Sequence, residues 1–231
     1  MITVETIRER HSVREYAGGP LDQAEFDALG AVVGECARES GLDIQLVGDN
    51  PEVFNVIARF GLIRGCRTHV AFVVDDAKAG DGVADGAIGY WGQKIVLAAQ
   101  DMGLNTCWCA LCSRKKSHAV VALGKKIRLV IAVGHGKTQG FSRKTKNVEA
   151  LSSVECAKAP AWFAAAMEAA QLAPTAMNNQ NFKITLLSDG RTVRIDAPQS
   201  GLNVIDEGIV RCNFEIAANE AGADWRWERE M

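Results

Sequence analysis

Between Ile88 and Met102 the apolar residues Ile88, Trp91, Ile95, Ala99 and Met102 recur every three or four positions. That period puts them on one stripe of an α-helix, and such a stripe needs a second layer of structure to cover it. Gly103 stands where a left-handed residue would end the helix. Material for the second layer flanks it. Apolar runs at 44–47, 69–74 and 127–133 have strand length; the second stops at Asp75-Asp76 and the third closes on Gly134. Further helices are expected at 3–10, where a capping-type Thr3 precedes Val4 and Ile7, and at 22–39, where Phe26, Leu29 and Val33 share a stripe. The glycine-rich stretch 80–86 reads as loop.

The later part of the chain repeats the mixture. A helix over 161–172 follows Pro160, and runs at 182–187 and 192–196 flank Ser188-Asp189-Gly190-Arg191, a hairpin turn by residue type. A helix over 206–221 comes last. The fold class is α+β, with an antiparallel or mixed sheet. The basic, polar stretch 137–146 suits a crossover between a first half, 1–146, and a second, 147–231.

Composition narrows the function classes. A net charge of −2 over 231 residues gives no basic field for nucleic acid. No run approaches the roughly 20 apolar residues that span a bilayer. Glu5, Arg8, Glu9 and Arg10 interrupt the start where a signal peptide would be apolar. Seven cysteines without such a leader argue against a disulfide framework, so a cytoplasmic location is expected.

Four constellations could carry chemistry. In an extended arm, Arg10, Ser12 and Arg14 would point the same way, offering two guanidiniums and a hydroxyl to a phosphate. The plainer reading is a solvated helix end, its arginines paired with nearby Glu. Ala173-Pro174-Thr175-Ala176-Met177-Asn178-Asn179-Gln180 follows a helix with small and amide side chains that could meet the edge of a heteroaromatic ring; it could equally be a polar connection. Gly103-Leu104-Asn105-Thr106-Cys107-Trp108 could be a loop aiming N–H groups at a cofactor, or simply a helix stop with a buried Trp. Finally, Trp108-Cys109-Ala110-Leu111-Cys112 has the form of a dithiol redox site. Such sites usually follow a strand at a helix N-terminus, whereas the element expected before this one is a helix and no βαβ pattern surrounds it. A zinc set of Cys107, Cys109, Cys112 and His118 has no common spacing. There is no G-x-G-x-x-G, Walker A, H-E-x-x-H or G-x-S-x-G motif, and His11, His69, His118 and His135 are scattered.

In order, these stretches resemble the FMN-dependent nitroreductase family over most of the chain. Arg10-His11-Ser12-Val13-Arg14-Glu15-Tyr16 is similar to its R-R-S-x-R-x-[FY] phosphate arm. Gly89 through Trp108 is similar to its central helix and G-L-G-T-C-W loop, residues 173–180 to its A-P-S-A-x-N-x-Q loop, and Arg143-Lys144-Thr145-Lys146 to its basic segment. His11 replaces the family's second Arg, Asn105 its Gly, and Asn181-Phe182 its Pro-Trp. In ordinary members the A-P-S-A loop follows the arm within about one helix; here it comes far later, as in the branch where two halves are fused into a pseudo-dimer. The resemblance implies a nitroreductase-like fold and one FMN per chain, held between the halves. Arg10, His11 and Ser12, with Arg143 or Lys144, would hold the phosphate, and Arg14 would lie by the pyrimidine edge. Pro174, Thr175, Ala176, Asn178 and Gln180 would wall the ring, and the stretch Asn105, Thr106, Cys107, Trp108, Cys109 would approach its redox-active centre. It also implies an oxidoreductase passing hydride from NAD(P)H to a nitroaromatic, quinone or similar acceptor; the alternative is a flavin-binding sensor.

Overall fold

Thr68–Asp75 is the strand around which the larger sheet is built, seven of its eight residues being buried. In the computed structural model, which describes residues 2–55, 63–78, 80 and 82–229, the helices are α1 (Val4–Glu9), α2 (Gln23–Ser40), α3 (Gly82–Asp101), α4 (Val148–Leu151), α5 (Ala161–Gln171) and α6 (Asn203–Glu220). The strands are β1 (Asp43–Val47), β2 (Thr68–Asp75), β3 (Asn105–Cys109), β4 (Lys125–Gly134), β5 (Lys183–Leu186), β6 (Thr192–Asp196) and β7 (Arg226–Trp227). They form two compact units that alternate along the sequence: one of residues 1–8, 80–93 and 143–231, the other of 9–79 and 94–142. Helix α3 contributes its first part to the former and its last part to the latter. The chain is thus α+β. No helix among the described residues is long and apolar enough to cross a membrane.

The 9–142 unit carries an antiparallel sheet of order β1-β2-β4-β3. Its inner strands read Thr68-His69-Val70-Ala71-Phe72-Val73-Val74 and Ile127-Arg128-Leu129-Val130-Ile131-Ala132-Val133, rich in the β-branched residues that pack well on a pleat. Helix α2 lies along β1. Its start is fixed locally: the Asp22 carboxylate accepts from the Glu25 N–H at 2.8 Å, and Glu25 accepts from the Asp22 N–H at 3.0 Å. The end of α3 is equally local. Gly103 takes φ +79 and the Leu104 N–H reaches back to the Ala99 carbonyl at 2.8 Å, closing a Schellman-type cap.

In the other unit, β5 and β6 form the expected hairpin and β7 adds in parallel to β6. Asp189 holds the turn, accepting from the Thr192 N–H at 2.9 Å and the Thr192 hydroxyl at 2.5 Å. Helices α5 and α6 pack together beside an aromatic cluster of Trp162, Phe163, Phe214, Trp225 and Trp227.

Two expectations need correction. Residues 82–86 are helix, not loop; residue 81 lies outside the described residues. Glycine disfavours helix by about 1 kcal/mol relative to alanine, but here tertiary contact decides: the Gly86 carbonyl lies against Gly208 of α6. Residues 105–109 are strand, not loop, because β4 offers them a full edge to pair with. Strand β7 and the single turn α4 have no periodicity long enough to announce them.

Candidate functional site

The arm at 10–16 is extended, and β3 holds it there. The Val13 N–H donates to the Thr106 carbonyl at 2.9 Å, and Ser12 bridges Thr106 in parallel register. On the other side Arg64 exchanges backbone hydrogen bonds with Arg14 and Tyr16, both at 2.8 Å. Val13 and Tyr16 are buried as anchors, while Ser12 and Arg14 are half-buried. Arg10 is only 8% exposed. Glu15 pairs with Arg64 at 3.3 Å, so the nearest acid on the arm does not serve Arg14. Among the described residues Arg14 has neither an ion pair nor a side-chain hydrogen bond, and the helix-end reading is excluded for it.

The polar residues that replace the family pattern are absorbed into this support. Asn105 Oδ1 accepts from the Gly136 N–H and its Nδ2 donates to Gln139, both at 2.9 Å. His11 lies 2.8 Å from the Glu9 carbonyl through Nδ1 and 3.2 Å from the Ser142 hydroxyl through Nε2. Gly140 takes φ +83 and a Cβ there would stand 2.6 Å from that of His11, so the 135–142 segment presses on the arm as only glycine allows. Cys107 and Cys109 face the core, and the half-buried Trp108 stacks on Phe72 with centroids 6.2 Å apart.

In the other unit the late loop and the basic segment meet. Asn178 Nδ2 donates to the Lys144 carbonyl at 2.8 Å. Gln180 is 1% exposed; its Oε1 accepts from the Lys146 N–H at 2.6 Å and its Nε2 donates to the Gln171 carbonyl at 2.8 Å. Thr175 is buried and its hydroxyl accepts from the Gln180 N–H at 3.0 Å, while Pro174 and Ala176 are half-buried. Both ends of the Gln180 carboxamide therefore shape the loop. Arg143 and Lys144 are exposed. The loop backbone is strained: Met177, Asn178 and Gln180 take φ of +52, +57 and +45, a region costly for residues with a Cβ. Met177 is also 83% exposed. Strain of this kind persists where the surroundings over-determine a shape, and it collects at ligand sites.

One determinant has no local signal in the sequence. Asp206, in the first turn of α6, accepts from the Ala176 N–H at 2.9 and 3.0 Å through its two oxygens. Burial pushes its carboxyl up to about 6, against the pull of that N–H. Folded, the group ionises near 6; unfolded, near 3.8. Between those values the folded chain binds the proton more tightly, so this group's contribution makes stability fall as pH rises from about 4 to about 6, then level off. Asp206→Asn is expected to remove that fall. The stability of the variant relative to the parent should rise by about 2 kcal/mol across the window. Urea titrations at several pH values would show it; a pH-independent difference would refute the assignment.

A family model described as "Putative TM nitroreductase" matches residues 2–218. No curated protein matches the chain in sequence. Among solved structures, a "putative nitroreductase (tm1586)" from Thermotoga maritima MSB8 is 19% identical, covers 100% of this chain and 90% of its own, and superposes with a TM-score of 0.71. A "Putative NADH dehydrogenase/NAD(P)H nitroreductase" from Parabacteroides distasonis ATCC 8503 is 21% identical over 66% of this chain and 95% of its own, with a TM-score of 0.50. A "putative nitroreductase in complex with fmn" from Desulfovibrio desulfuricans subsp. is 18% identical over the same shares, 66% and 95%, with a TM-score of 0.51. At these identities the likeness is one of fold.

Proposed function

The chain belongs to the TM nitroreductase family, and from that premise we propose that it is an FMN-dependent oxidoreductase taking hydride from NADH or NADPH to a nitroaromatic, quinone or similar flat acceptor. The observation that carries the reading is the arm: an extended strand braced on β3 that presents Arg14 without a carboxylate partner. The residues present fit the cofactor. A phosphate dianion calls for cationic and hydroxyl donors, which Arg10, Ser12 and the exposed Arg143 and Lys144 provide. A flat ring calls for a small-residue wall of fixed shape, which Pro174, Thr175, Ala176 and Asn178 provide in a loop locked by Gln180.

Bound there, FMN supplies the hydride chemistry itself. The chain's own part is to bind and orient. Arg10 and Ser12 fix the phosphate, Arg14 sets positive charge at the pyrimidine edge, and the Asn105–Cys109 strand backs the ring. On the same reading the chain is a tandem of two nitroreductase-like halves, 1–146 and 147–231, serving one FMN. Each half has its own sheet, β1–β4 in the first and β5–β7 in the second, in support of that division, while residues 1–8 and 80–93 of the first half belong to the compact unit of the second.

Purified protein equilibrated with FMN should retain about one equivalent through gel filtration and should bleach on anaerobic addition of NADH or NADPH. Free FMN after gel filtration would overturn the cofactor assignment; retained flavin that neither nucleotide bleaches would overturn the enzyme assignment alone. Arg10→Ala should weaken FMN binding by about 2 kcal/mol, the loss of one charge-assisted hydrogen-bond donor. Unchanged affinity would remove the arm from the phosphate site.

A further inference from the structure

The C-x-x-C at Cys109 and Cys112 does follow a strand: Cys109 is the last residue of β3, and Cys112 lies in the bend after it. The expectation of a helix before the motif is thereby corrected, although a bend and not a helix N-terminus follows the strand. Both thiols are reduced, and Cys112 packs against the buried cluster that contains Cys109. Backbone contacts hold the bend in that form. Arg114 donates from Nη2 to the Ala110 carbonyl at 2.8 Å and from its N–H to the Cys112 carbonyl at 3.0 Å, and the Ser113 N–H donates to the Val53 carbonyl at 2.8 Å. Cys109 is 7% exposed and its thiol donates to the Leu111 carbonyl at 3.2 Å, whereas Cys112 is half-buried beside the exposed Leu111.

We propose that Cys109 and Cys112 form a redox-active dithiol that exchanges with low-molecular-weight disulfides, the accessible Cys112 attacking first and the buried Cys109 resolving. The electrostatics agree with that order. The neighbouring Cys109 thiol and the Arg114 guanidinium hold the Cys112 thiol below its ordinary range, while the same pairing and burial push Cys109 up. In the first step the Cys112 thiolate attacks one sulfur of a disulfide RSSR; the RS–SR bond breaks, a Cys112–SR bond forms, and RS⁻ leaves to take up a proton. In the second, Cys109 gives up its proton as its sulfur attacks that of Cys112. The Cys109–Cys112 bond forms, and the second RS⁻ leaves and takes the proton. Two thiols are oxidised and RSSR is reduced to two RSH. A metal site is a poor alternative: no group of three His, Cys, Asp or Glu among the described residues could hold an ion.

The test treats reduced, full-length protein with oxidised glutathione, blocks remaining thiols with iodoacetamide and maps them by mass spectrometry. The expected product has Cys109 and Cys112 joined and unalkylated, with Cys36, Cys66 and Cys212 still alkylated after denaturation. Cys109→Ser should instead accumulate a stable glutathione adduct on Cys112, and Cys112→Ser should form neither product. Arg114→Ala should slow adduct formation about threefold, through a higher thiol pKa tempered by higher intrinsic nucleophilicity. Failure of the unmodified chain to form the bond, or an adduct on Cys109 ahead of Cys112, would overturn the proposal.

Discussion

Gly89→Ala is expected to destabilise the protein by more than about 3 kcal/mol, a larger loss than overpacking usually gives, because the added methyl would meet backbone. A Cβ built on Gly89 stands 2.0 Å from the Ile205 carbonyl oxygen and 3.0 Å from the Ile209 nitrogen. Neither atom belongs to a side chain that could turn away, so the start of α3 would have to lift off α6. Gly208 mirrors it: a Cβ there stands 2.1 Å from the Gly86 oxygen and 2.7 Å from the Tyr90 nitrogen. Both substitutions should lower the urea midpoint sharply. Gly34→Ala, in the exposed middle of α2 with nothing within 4 Å of its new methyl, supplies the opposite sign. It should stabilise by up to about 1 kcal/mol, since only helix propensity changes. Equal midpoints for the Gly89 and Gly34 variants would show that the close crossing of α3 and α6 is not what those glycines serve.

Asn213→Ala should cost about 3 kcal/mol. Asn213 is fully buried in α6, accepting from Gln93 Nε2 at 2.9 Å and donating to the Ala169 carbonyl at 3.0 Å. Truncation takes one bond from each of those groups where water cannot replace it, and leaves a cavity besides. Gln93→Ala should lose less, because Asn213 keeps its bond to α5. The two changes together should cost less than their sum, with a coupling of about 1 kcal/mol for the shared hydrogen bond. Strict additivity would mean the Gln93–Asn213 bond contributes nothing. The pair ties α3 to α5 and α6 through polar groups inside an apolar core, so its loss should loosen α5, the helix that leads into the Ala173–Gln180 loop.

Where the determinant is local, sequence and structure agree. Asp22 and Glu25 lie three residues apart and cap α2; Gly103 ends α3; Asp189 and Gly190 turn the hairpin. The spacing of Arg10, Ser12 and Arg14 is local too, but it sets only which groups an extended arm presents; the extension itself needs β3 and Arg64. The glycine-rich start of α3 misleads for the opposite reason. Its local preference is for loop, and it is overridden by α6, some 120 residues away, whose Gly208 lets the Gly86 carbonyl approach. Asn105–Cys109 carries strand-compatible residues but becomes strand because β4 is there to pair with it.

The site divides the same way. Residue types mark the arm and the Ala173–Gln180 loop as chemically apt, and the family resemblance adds the basic segment at 143–146. What braces them was not legible. Asn105 reaches Gly136 across 31 positions, Asp206 holds Ala176 across 30, and Gln180 closes on Lys146 across 34. The sequence by itself determined which groups could meet a phosphate and a ring, because charge and hydrogen-bonding capacity belong to single residues. The tertiary structure alone decided that the arm stands straight, that the loop is held in a strained form, and that Cys109 ends a strand. Each of those depends on a partner far along the chain, and no local preference is strong enough to specify one.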